Sequence, residues 1–176
     1  GANANGEIGA GTTGGKALVP TPVSGLTDAT SVSAAFTNVC ASRATGQVAC
    51  WGDNFFGQLG DNTTTDRNTP VNAVGLADAL AVSAGILHTC SVTAAGAMKC
   101  WGSNAQGQFG SGSASSGSLT PLVINTISNT VSSTGGTSLY CAIIASGVPQ
   151  CWGQASFGVG DGTTTPRFVP TPVLTF

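Results

Sequence analysis

The stretch CWGDNFFGQLG at residues 50–60 is matched fifty residues later by CWGSNAQGQFG at residues 100–110. The glycines that directly follow a tryptophan lie 50 and 51 residues apart, at Gly52, Gly102 and Gly153. A pattern that returns at a fixed period of this length is typical of repeat architectures. The period is therefore the property from which the fold is predicted.

Each repeat has two halves. One half is rich in glycine and threonine and ends in a proline segment, such as VPTPVSGL at 19–26, and the other half holds two cysteines ten residues apart. Because Gly1 lies 51 residues before Gly52 and starts a further copy, the first half occurs four times and the second half three times. We predict one repeat region over 1–176, divided at approximately 1–51, 52–101, 102–152 and a half repeat at 153–176.

The repeats contain short apolar runs separated by Gly, Asn, Asp and Pro, and no run has the length and period of a helix. The sequence therefore predicts an all-β protein. A period near 50 residues with about four short strands fits one blade of a β-propeller, whose small sheet buries its faces only against neighbouring blades. The chain would supply about three and a half blades, as a partial ring or an open, assembling propeller.

The cysteines are predicted to staple each blade. In CASRATGQVAC, at residues 40–50, a three-residue turn ending in Gly46 places the two cysteines opposite each other on adjacent strands, within reach of a disulfide. Three such bridges would indicate an oxidising compartment, extracellular or secreted, at the cell surface or in the periplasm. Zinc binding with His88 and reduced packing thiols are the alternatives, although no C-x-x-C spacing occurs. The predicted pairs are Cys40 with Cys50, Cys90 with Cys100, and Cys141 with Cys151.

A tryptophan follows the second cysteine of each pair, at Trp51, Trp101 and Trp152. Because side chains alternate along a strand, each indole is predicted to lie on the face opposite the bridge and to pack between blades. The alternative is an exposed aromatic platform for a ligand. The glycines of the opening stretch, such as Gly52, Gly57 and Gly60, would permit backbone conformations and close approaches that a Cβ resists.

The spaced motifs together resemble a known family. WGDNFFGQLGDNTT, then TPVNAVGL, then the G-x-x-H-T-C pattern at 85–90, are similar to the repeats of the regulator of chromosome condensation (RCC1) family, and the similarity covers essentially the whole chain. The paired cysteines around Cys-Trp-Gly resemble secreted bacterial members. The resemblance implies a seven-bladed ring, which needs roughly 350 residues at this period. We therefore expect the chain to be part of a larger ring, or its open ends to be covered by further copies.

Polar candidate residues are few. The resemblance implies that His88 hydrogen-bonds within its blade. Asp28 and Asp78 recur after Gly-Leu, which favours a turn or cap role, and Asp61 and Asp161 recur in D-x-T-T-T loops where a carboxylate can bond its own backbone. Calcium binding by these loops is an alternative, but the dense Asp pattern of calcium loops is absent. The sequence thus predicts no catalytic residue, metal site or cofactor.

Two features point towards contacts or modification. Phe55 and Phe56 lie in the variable part of the repeat, with Phe157 as a counterpart, and are predicted to contact a partner, although packing between blades is expected for at least one. Asn62-Thr63-Thr64 matches the acceptor pattern for glycosylation, with simple turn chemistry as the alternative.

Composition narrows the function classes. Only 7% of the 176 residues are charged, and the five Lys and Arg residues are scattered, which disfavours nucleic-acid binding. No apolar run is long enough to span a membrane. The chain begins at Gly1 without a leader, so either a leader has been removed or the chain is part of something longer.

The function hypotheses fall into three classes. We predict an extracellular, non-catalytic binding or structural module that binds a protein partner, further copies of itself or glycans. The alternatives are an inhibitor of a secreted enzyme and a glycan-processing enzyme with a paired carboxylate site.

Overall fold

A computed structural model describes residues 1–154 and 158–174. Within these residues the secondary structure consists of β-strands joined by turns, without a helix, which confirms the all-β prediction. The strands are β1 Ala29–Ala34, β2 Asn38–Arg43, β3 Val48–Gly52, β4 Arg67–Asn72, β5 Ala79–Ala84, β6 His88–Thr93, β7 Met98–Asn104, β8 Ser115–Ile124, β9 Thr130–Gly135, β10 Leu139–Ile144, β11 Pro149–Gly153 and β12 Arg167–Pro172.

The strands form three antiparallel four-stranded sheets in the order β1-β2-β3-β4, β5-β6-β7-β8 and β9-β10-β11-β12, which we call blades 1, 2 and 3. The first strands of the blades lie side by side, since β1 contacts β5 and β5 contacts β9. They form the inner edge of the stack, and β4, β8 and β12 form the outer edge. The blades follow one another as in a propeller, and the three sheets do not close into a ring.

Proline explains which strand lies outermost. Each outer strand carries proline, at Pro70 in β4, Pro121 in β8 and both Pro170 and Pro172 in β12. Proline has no N–H to donate, and a central strand needs its N–H groups to bond to the strands on both sides. Proline is therefore tolerated on an edge strand, where one side faces solvent. The same residues discourage pairing of these edges with other chains.

The cysteine hairpins have the register expected from the sequence. Cys40 lies opposite Cys50, Cys90 opposite Cys100, and Cys141 opposite Cys151, and each pair is joined by a disulfide. The turn glycines have positive φ, 78° at Gly46, 73° at Gly96 and 84° at Gly147. Three turns with different sequences therefore share one backbone geometry, because glycine adopts the left-handed conformation without a steric cost.

The hydrophobic core lies between the blades. One cluster joins blades 1 and 2 and contains the first disulfide, Val48, Leu59, Val82 and Trp101. The second joins blades 2 and 3 and contains the second disulfide together with Met98, Phe109, Tyr140 and Trp152. Each blade is thus stabilised mainly by burial against its neighbour, as in other repeat proteins.

Residues 1–28 precede the first sheet and correspond to the glycine-threonine-proline half of a repeat. They are joined by an isolated bridge between Ala2 and Lys16, and they pack on blade 1, where Asn68 donates to the carbonyl of Gly11. The sheets begin with the strand that precedes each cysteine hairpin. A sequence period alone does not specify where within the period a sheet begins.

Candidate interaction surfaces

The tryptophans connect consecutive units of the stack. The Nε1 of Trp101 in blade 2 donates to the carbonyl of Gln58 in blade 1 at 2.9 Å. The same bond recurs from Trp152 to the carbonyl of Gln108 at 2.8 Å, and from Trp51 to the carbonyl of Glu7 at 2.9 Å. Each indole is buried. The tryptophans thus lie between repeats, and none forms an exposed platform.

The glycines of the opening stretch have two separate roles. A Cβ on Gly60 would lie 2.8 Å from Nε1 of Trp101, so this position must lack a side chain for the indole to fit. Gly52 follows the tryptophan with φ of 101°, and a Cβ there would lie 2.9 Å from the Cα of Asn38 on the adjacent strand. In Cys-Trp-Gly, therefore, the cysteine staples the blade, the tryptophan binds the preceding repeat, and the glycine permits close approach of two strands.

A buried asparagine organises the loops between the third and fourth strands of blades 1 and 2 and the corresponding N-terminal loop. Oδ1 of Asn54 accepts from the N–H of Leu59 at 2.9 Å, and Nδ2 donates to the carbonyls of Thr63 and Thr65 at 3.0 and 3.1 Å. Asn3 and Asn104 make the corresponding bonds in their own loops. These asparagines were not predicted from the sequence, although their recurrence at 51 and 50 residues was a usable signal.

Hydroxyls on the inner strands also join the blades, and they too were not predicted from the sequence. Oγ of Ser33 accepts from the N–H of Ala84 at 3.0 Å, and Oγ of Ser83 accepts from the N–H of Gly135 at 2.8 Å. Ser33 and Ser83 lie opposite the first cysteine of their blades, and Thr134 has this position in blade 3. Thr134 therefore presents the same kind of hydroxyl on the side of blade 3 that faces away from blade 2.

Blade 3 has an exposed face whose counterparts in blades 1 and 2 are each covered by the next blade. On blade 2 the corresponding face is buried, with Val92 at 2% and Met98 at 0% exposure, whereas Ile143 in the position of Val92 is 41% exposed. Pro149 stands in the position of Met98. Ser132, Thr134, Ala142 and the third disulfide complete an apolar depression with these two residues, and we call it the third-blade face.

Blade 1 has a matching exposed face on its other side. Val82 in β5 is 8% exposed because it packs against blade 1, whereas Val32, in the same position of β1, is 68% exposed. The outer part of this side is covered by residues 1–28, which accept the Trp51 hydrogen bond. The stack therefore has two exposed ends with complementary positions.

The phenylalanines predicted to contact a partner lie at the start of the β3–β4 loop. Phe55 is 71% and Phe56 is 41% exposed, and their ring centroids lie 4.9 Å apart in an edge-to-face arrangement. Phe157, their predicted counterpart, lies outside the described residues. Phe36, in the β1–β2 turn, is 80% exposed and was not singled out from the sequence.

The expectation that His88 hydrogen-bonds within its blade is wrong. His88 is fully buried, and neither ring nitrogen has a hydrogen-bond partner among the described residues. Its ring packs edge-on to Tyr140 of blade 3, with centroids 5.5 Å apart. Burial lowers the pKa of His88 to about 4 and raises that of Tyr140 to about 12. His88 is thus a neutral packing residue between blades 2 and 3.

The recurring aspartates form ion pairs. Asp28 pairs with Arg43 at 2.8 Å and Asp78 with Lys99 at 2.9 Å, and within the described residues neither carboxylate accepts from a turn N–H, as the predicted cap role would require. Their backbone carbonyls instead accept from the hairpin-turn N–H groups of Ala44 and Ala94.

The D-x-T-T-T loops behave as the sequence indicated. Oδ1 of Asp61 accepts from the N–H of Thr63 at 3.0 Å, and the carboxylate pairs with Arg67 at 2.7 Å. Burial acts to raise the pKa of Asp61, but hydrogen bonds from Thr63, Arg67 and Asn54 together lower it. Asp161 repeats the arrangement, and the hydrogen bond from Arg167 lowers its pKa.

Asn62, the candidate glycosylation residue, is exposed at the tip of this loop. Its φ is 64°, and its N–H donates to the carbonyl of Leu119 at 3.1 Å. Thr64, the hydroxyl residue of the acceptor pattern, is also exposed. The side chains needed for attachment are therefore accessible.

No group of three or more His, Cys, Asp or Glu side chains in residues 1–154 and 158–174 is arranged to hold a metal ion. The same part of the chain contains no helix that could cross a membrane.

Two family models described as the regulator of chromosome condensation (RCC1) repeat match this chain. One matches residues 45–92, and the other matches residues 29–58 and 80–108. The matched segments coincide with the stapled hairpins and the loops between them. Residues 29–108 of the chain therefore carry repeats of the RCC1 family. None of the curated proteins matches the chain.

Several solved structures are similar to this chain in fold. Yeast RCC1 (Prp20), in its crystal structure bound to Kap60, is 20% identical, with a TM-score of 0.73 over 86% of this chain and 38% of that one. Human WBSCR16 is 18% identical, with a TM-score of 0.73 over 82% and 37%. The ectodomain of the Physcomitrella patens receptor kinase CR4 is 22% identical, with a TM-score of 0.52 over 84% and 36%. The chain therefore spans well under half the length of these proteins.

Proposed function

We propose that this protein is an extracellular, non-catalytic binding module of disulfide-stapled RCC1 blades, which associates with further copies of itself through its exposed blade faces. The observation that carries the proposal is the third-blade face. Its positions are buried between blades in the two earlier copies, and they are exposed in the third. The proposal covers this chain alone, since it spans well under half of the solved structures that it resembles.

Three regular disulfides support the extracellular location. The bridges are intramolecular and recur blade by blade, and bridges of this kind persist in oxidising compartments. Each closes a short loop, which contributes up to about 3 kcal/mol on the chain-entropy estimate. Intact mass before and after reduction of protein purified from its native source tests this. Six reduced thiols in the native protein would refute the location.

The apolar third-blade face supports self-association. A contact with this face would bury Ile143, as Val92 is buried in blade 2. The hydroxyl of Thr134 would accept a hydrogen bond from a backbone N–H, as those of Ser33 and Ser83 do. The first exposed face of another copy offers Val32 in the position of Val82, and the backbone N–H of Ala34 in the position of Ala84. Among the described residues that line the third-blade face, none is charged. Contact would therefore leave no unpaired charge buried there.

Size-exclusion chromatography with light scattering tests the association over a range of concentrations. The wild-type protein is expected to exceed the monomer mass of 17.2 kDa as concentration rises, and Ile143→Asp to remain monomeric. Val169→Asp is the matched control, because Val169 is 44% exposed but lies on the outer strand β12. A wild-type monomer at every concentration would reject self-association.

A second candidate function is the inhibition of a secreted enzyme by the Phe55 and Phe56 loop. The exposed edge-to-face pair supports this candidate, since aromatic residues are common energetic anchors at interfaces. Prp20p from Saccharomyces cerevisiae, a relative of known structure, has been characterised for its binding to Gsp1p and histones, so protein binding by this fold has a precedent. Loss of inhibition in Phe55→Ser would identify the loop for any enzyme found to be inhibited.

We also propose Asn62 as a site of sugar attachment. The support is its exposure at a loop tip and the acceptor pattern completed by Thr64. Expression in a host that glycosylates secreted proteins should add mass that is removed in Thr64→Ala, a variant that keeps Asn62. An unmodified wild-type mass from such a host would refute the site.

A further inference from the structure

Blade 1 exposes three phenylalanines at one end. Phe36 is 80%, Phe55 is 71% and Phe56 is 41% exposed. They belong to the β1–β2 turn and the β3–β4 loop, which lie at the same end of the sheet, since the N–H of Asp53 donates to the carbonyl of Thr37 at 2.8 Å. We call these three side chains the aromatic patch. Exposed aromatic side chains that collect in one place are characteristic of interaction sites.

The patch is held by a fixed polar framework. The carboxylate of Asp53 accepts from Oγ1 of Thr37 at 3.2 Å through Oδ2, and from the N–H of Phe55 at 3.1 Å through Oδ1. The N–H of Phe56 donates to Oε1 of the buried Gln58 at 2.9 Å. These bonds join the two loops and fix the backbone under the rings. A partner would therefore bind without ordering the loops first, which lowers the cost of association.

The patch is not required by the repeat fold. Side chains that pack between repeats recur, as the tryptophans do at Trp51, Trp101 and Trp152. The positions of Phe55 and Phe56 are Ala105 and Gln106 in blade 2, and Phe36 corresponds to Ile86 in blade 2 and Thr137 in blade 3. Blade 2 forms the same four-stranded sheet without any of these aromatics. Stability of the blade therefore does not explain the patch.

The negative charge around the aromatic patch favours a partner that carries a positive charge. The β3–β4 loop carries Asp53, Asp61 and Asp66 but no lysine or arginine, and Arg67 at the start of β4 pairs with Asp61. Asp53 and Asp66 take part in no ion pair within the described part of the chain. A cation is attracted both by these carboxylates and by the faces of aromatic rings.

We propose that Phe36, Phe55 and Phe56 form a docking site for a protein segment that carries a lysine or arginine next to an apolar side chain. The proposal rests on the proposed role as a binding module and specifies its partner. The apolar side chain packs against the exposed rings, and the cation lies over a ring beside Asp53 and Asp66. An acidic peptide or a neutral glycan does not satisfy this arrangement.

A displayed peptide library provides the test. Twelve-residue random peptides are selected on the intact disulfide-bonded protein, after removal of those that bind a Phe36→Ser, Phe55→Ser, Phe56→Ser triple variant. The surviving peptides should be enriched in lysine or arginine adjacent to apolar residues. Enrichment of acidic or uncharged peptides, or no peptide that prefers the wild type, overturns the proposal.

Affinities of a selected peptide then test the two components separately. Phe55→Ser should weaken binding by about tenfold or more, as expected for an interface anchor. Asp66→Asn keeps an oxygen that can accept from the N–H of Asn54 but removes the charge, so it should weaken binding several-fold and reduce its dependence on salt. Gln106→Ser, on the equivalent loop of blade 2, is the matched control and should leave the affinity unchanged. Equal loss in this control would contradict the site.

The outcome can be distinguished from that of self-association. The third-blade face contains none of the patch residues, so Ile143→Asp should keep peptide binding while it abolishes assembly. If wild-type protein assembles but selects no cationic peptide, the docking site fails and the self-association stands. If it remains monomeric but selects cationic peptides, only the self-association fails.

Discussion

The indole nitrogen of Trp101 donates to the backbone carbonyl of Gln58, 43 residues earlier and in the preceding blade, at 2.9 Å. This bond crosses the boundary between two sheets that share no strand. Because it is repeated by the other two tryptophans, each unit is joined to the preceding one by the same hydrogen bond. The bond adds a common polar contact to the apolar packing and the hydroxyl bonds between blades.

The space under the Trp101 indole can be tested at Gly60. Gly60→Ala should reduce the free energy of unfolding by about 2–4 kcal/mol, because the residue has φ of 75° and a Cβ would lie 2.8 Å from the indole nitrogen. Gly75→Ala is the control, since Gly75 has φ of 72° but no heavy atom within 4 Å of the added Cβ. Urea unfolding measures both. Equal losses of unfolding free energy in the two variants would show that the indole does not require a glycine at residue 60.

His88 should make the stability of the protein sensitive to acid. Its pKa is about 4 in the folded protein and near 6.5 in the unfolded chain, so the unfolded state binds the proton more readily. The full stability is present above pH 6.5 and falls as the pH is lowered towards 4, by up to about 3 kcal/mol.

Comparison with His88→Leu separates this effect from the titration of carboxylates. Leucine is the residue that blade 3 carries at this position, as Leu139. The difference in unfolding free energy between wild type and variant, followed from pH 7 to pH 4, should grow in favour of the variant. A difference independent of pH would mean that His88 is not buried as a neutral group.

The three disulfides should differ in their reactivity. Cys40, Cys50, Cys90 and Cys100 are fully buried, whereas the Cys141–Cys151 bridge lies on the third-blade face, where Cys141 is partly exposed. Brief mild reduction followed by alkylation and peptide mass analysis should label Cys141 and Cys151 first. The Ile143→Asp variant keeps this measurement free of self-association. Labelling of either buried pair before the third would contradict the exposed face.

The buried asparagine of the β3–β4 loop should be more important than its neighbours. Asn54→Ala removes one acceptor and several donated bonds, and it leaves the N–H of Leu59 and two carbonyls without their partner. We expect a loss of about 2–4 kcal/mol in thermal or urea unfolding. Asn5→Ala, in the variable part of the N-terminal loop, should change stability by less than about 0.5 kcal/mol. Similar effects of both changes would refute the role of Asn54.

Local features were predictable from the sequence because their partners lie close along the chain. The ten-residue cysteine spacing and the turn glycine together specified the Cys40–Cys50 hairpin, and the period specified that its neighbours would repeat it. The turn role of Asp61 could be predicted for the same reason, since its carboxylate accepts a hydrogen bond from an N–H only two residues away. Asn54 was recoverable from its recurrence, but a period does not state what a side chain binds.

The repeat, the strand content, the disulfide pairs and the alternation that places Trp51, Trp101 and Trp152 away from the bridges can all be derived from the sequence. The folded arrangement was needed to show that Ser33 bonds to Ala84, that His88 packs against Tyr140 without a hydrogen-bond partner among the described residues, and that Ile143 and Phe36 are exposed. These relationships join different blades or depend on which neighbours are present. The hydrophobic pattern within one blade is the same whether its face is covered or open, so stacking alone decides which positions remain available for a partner.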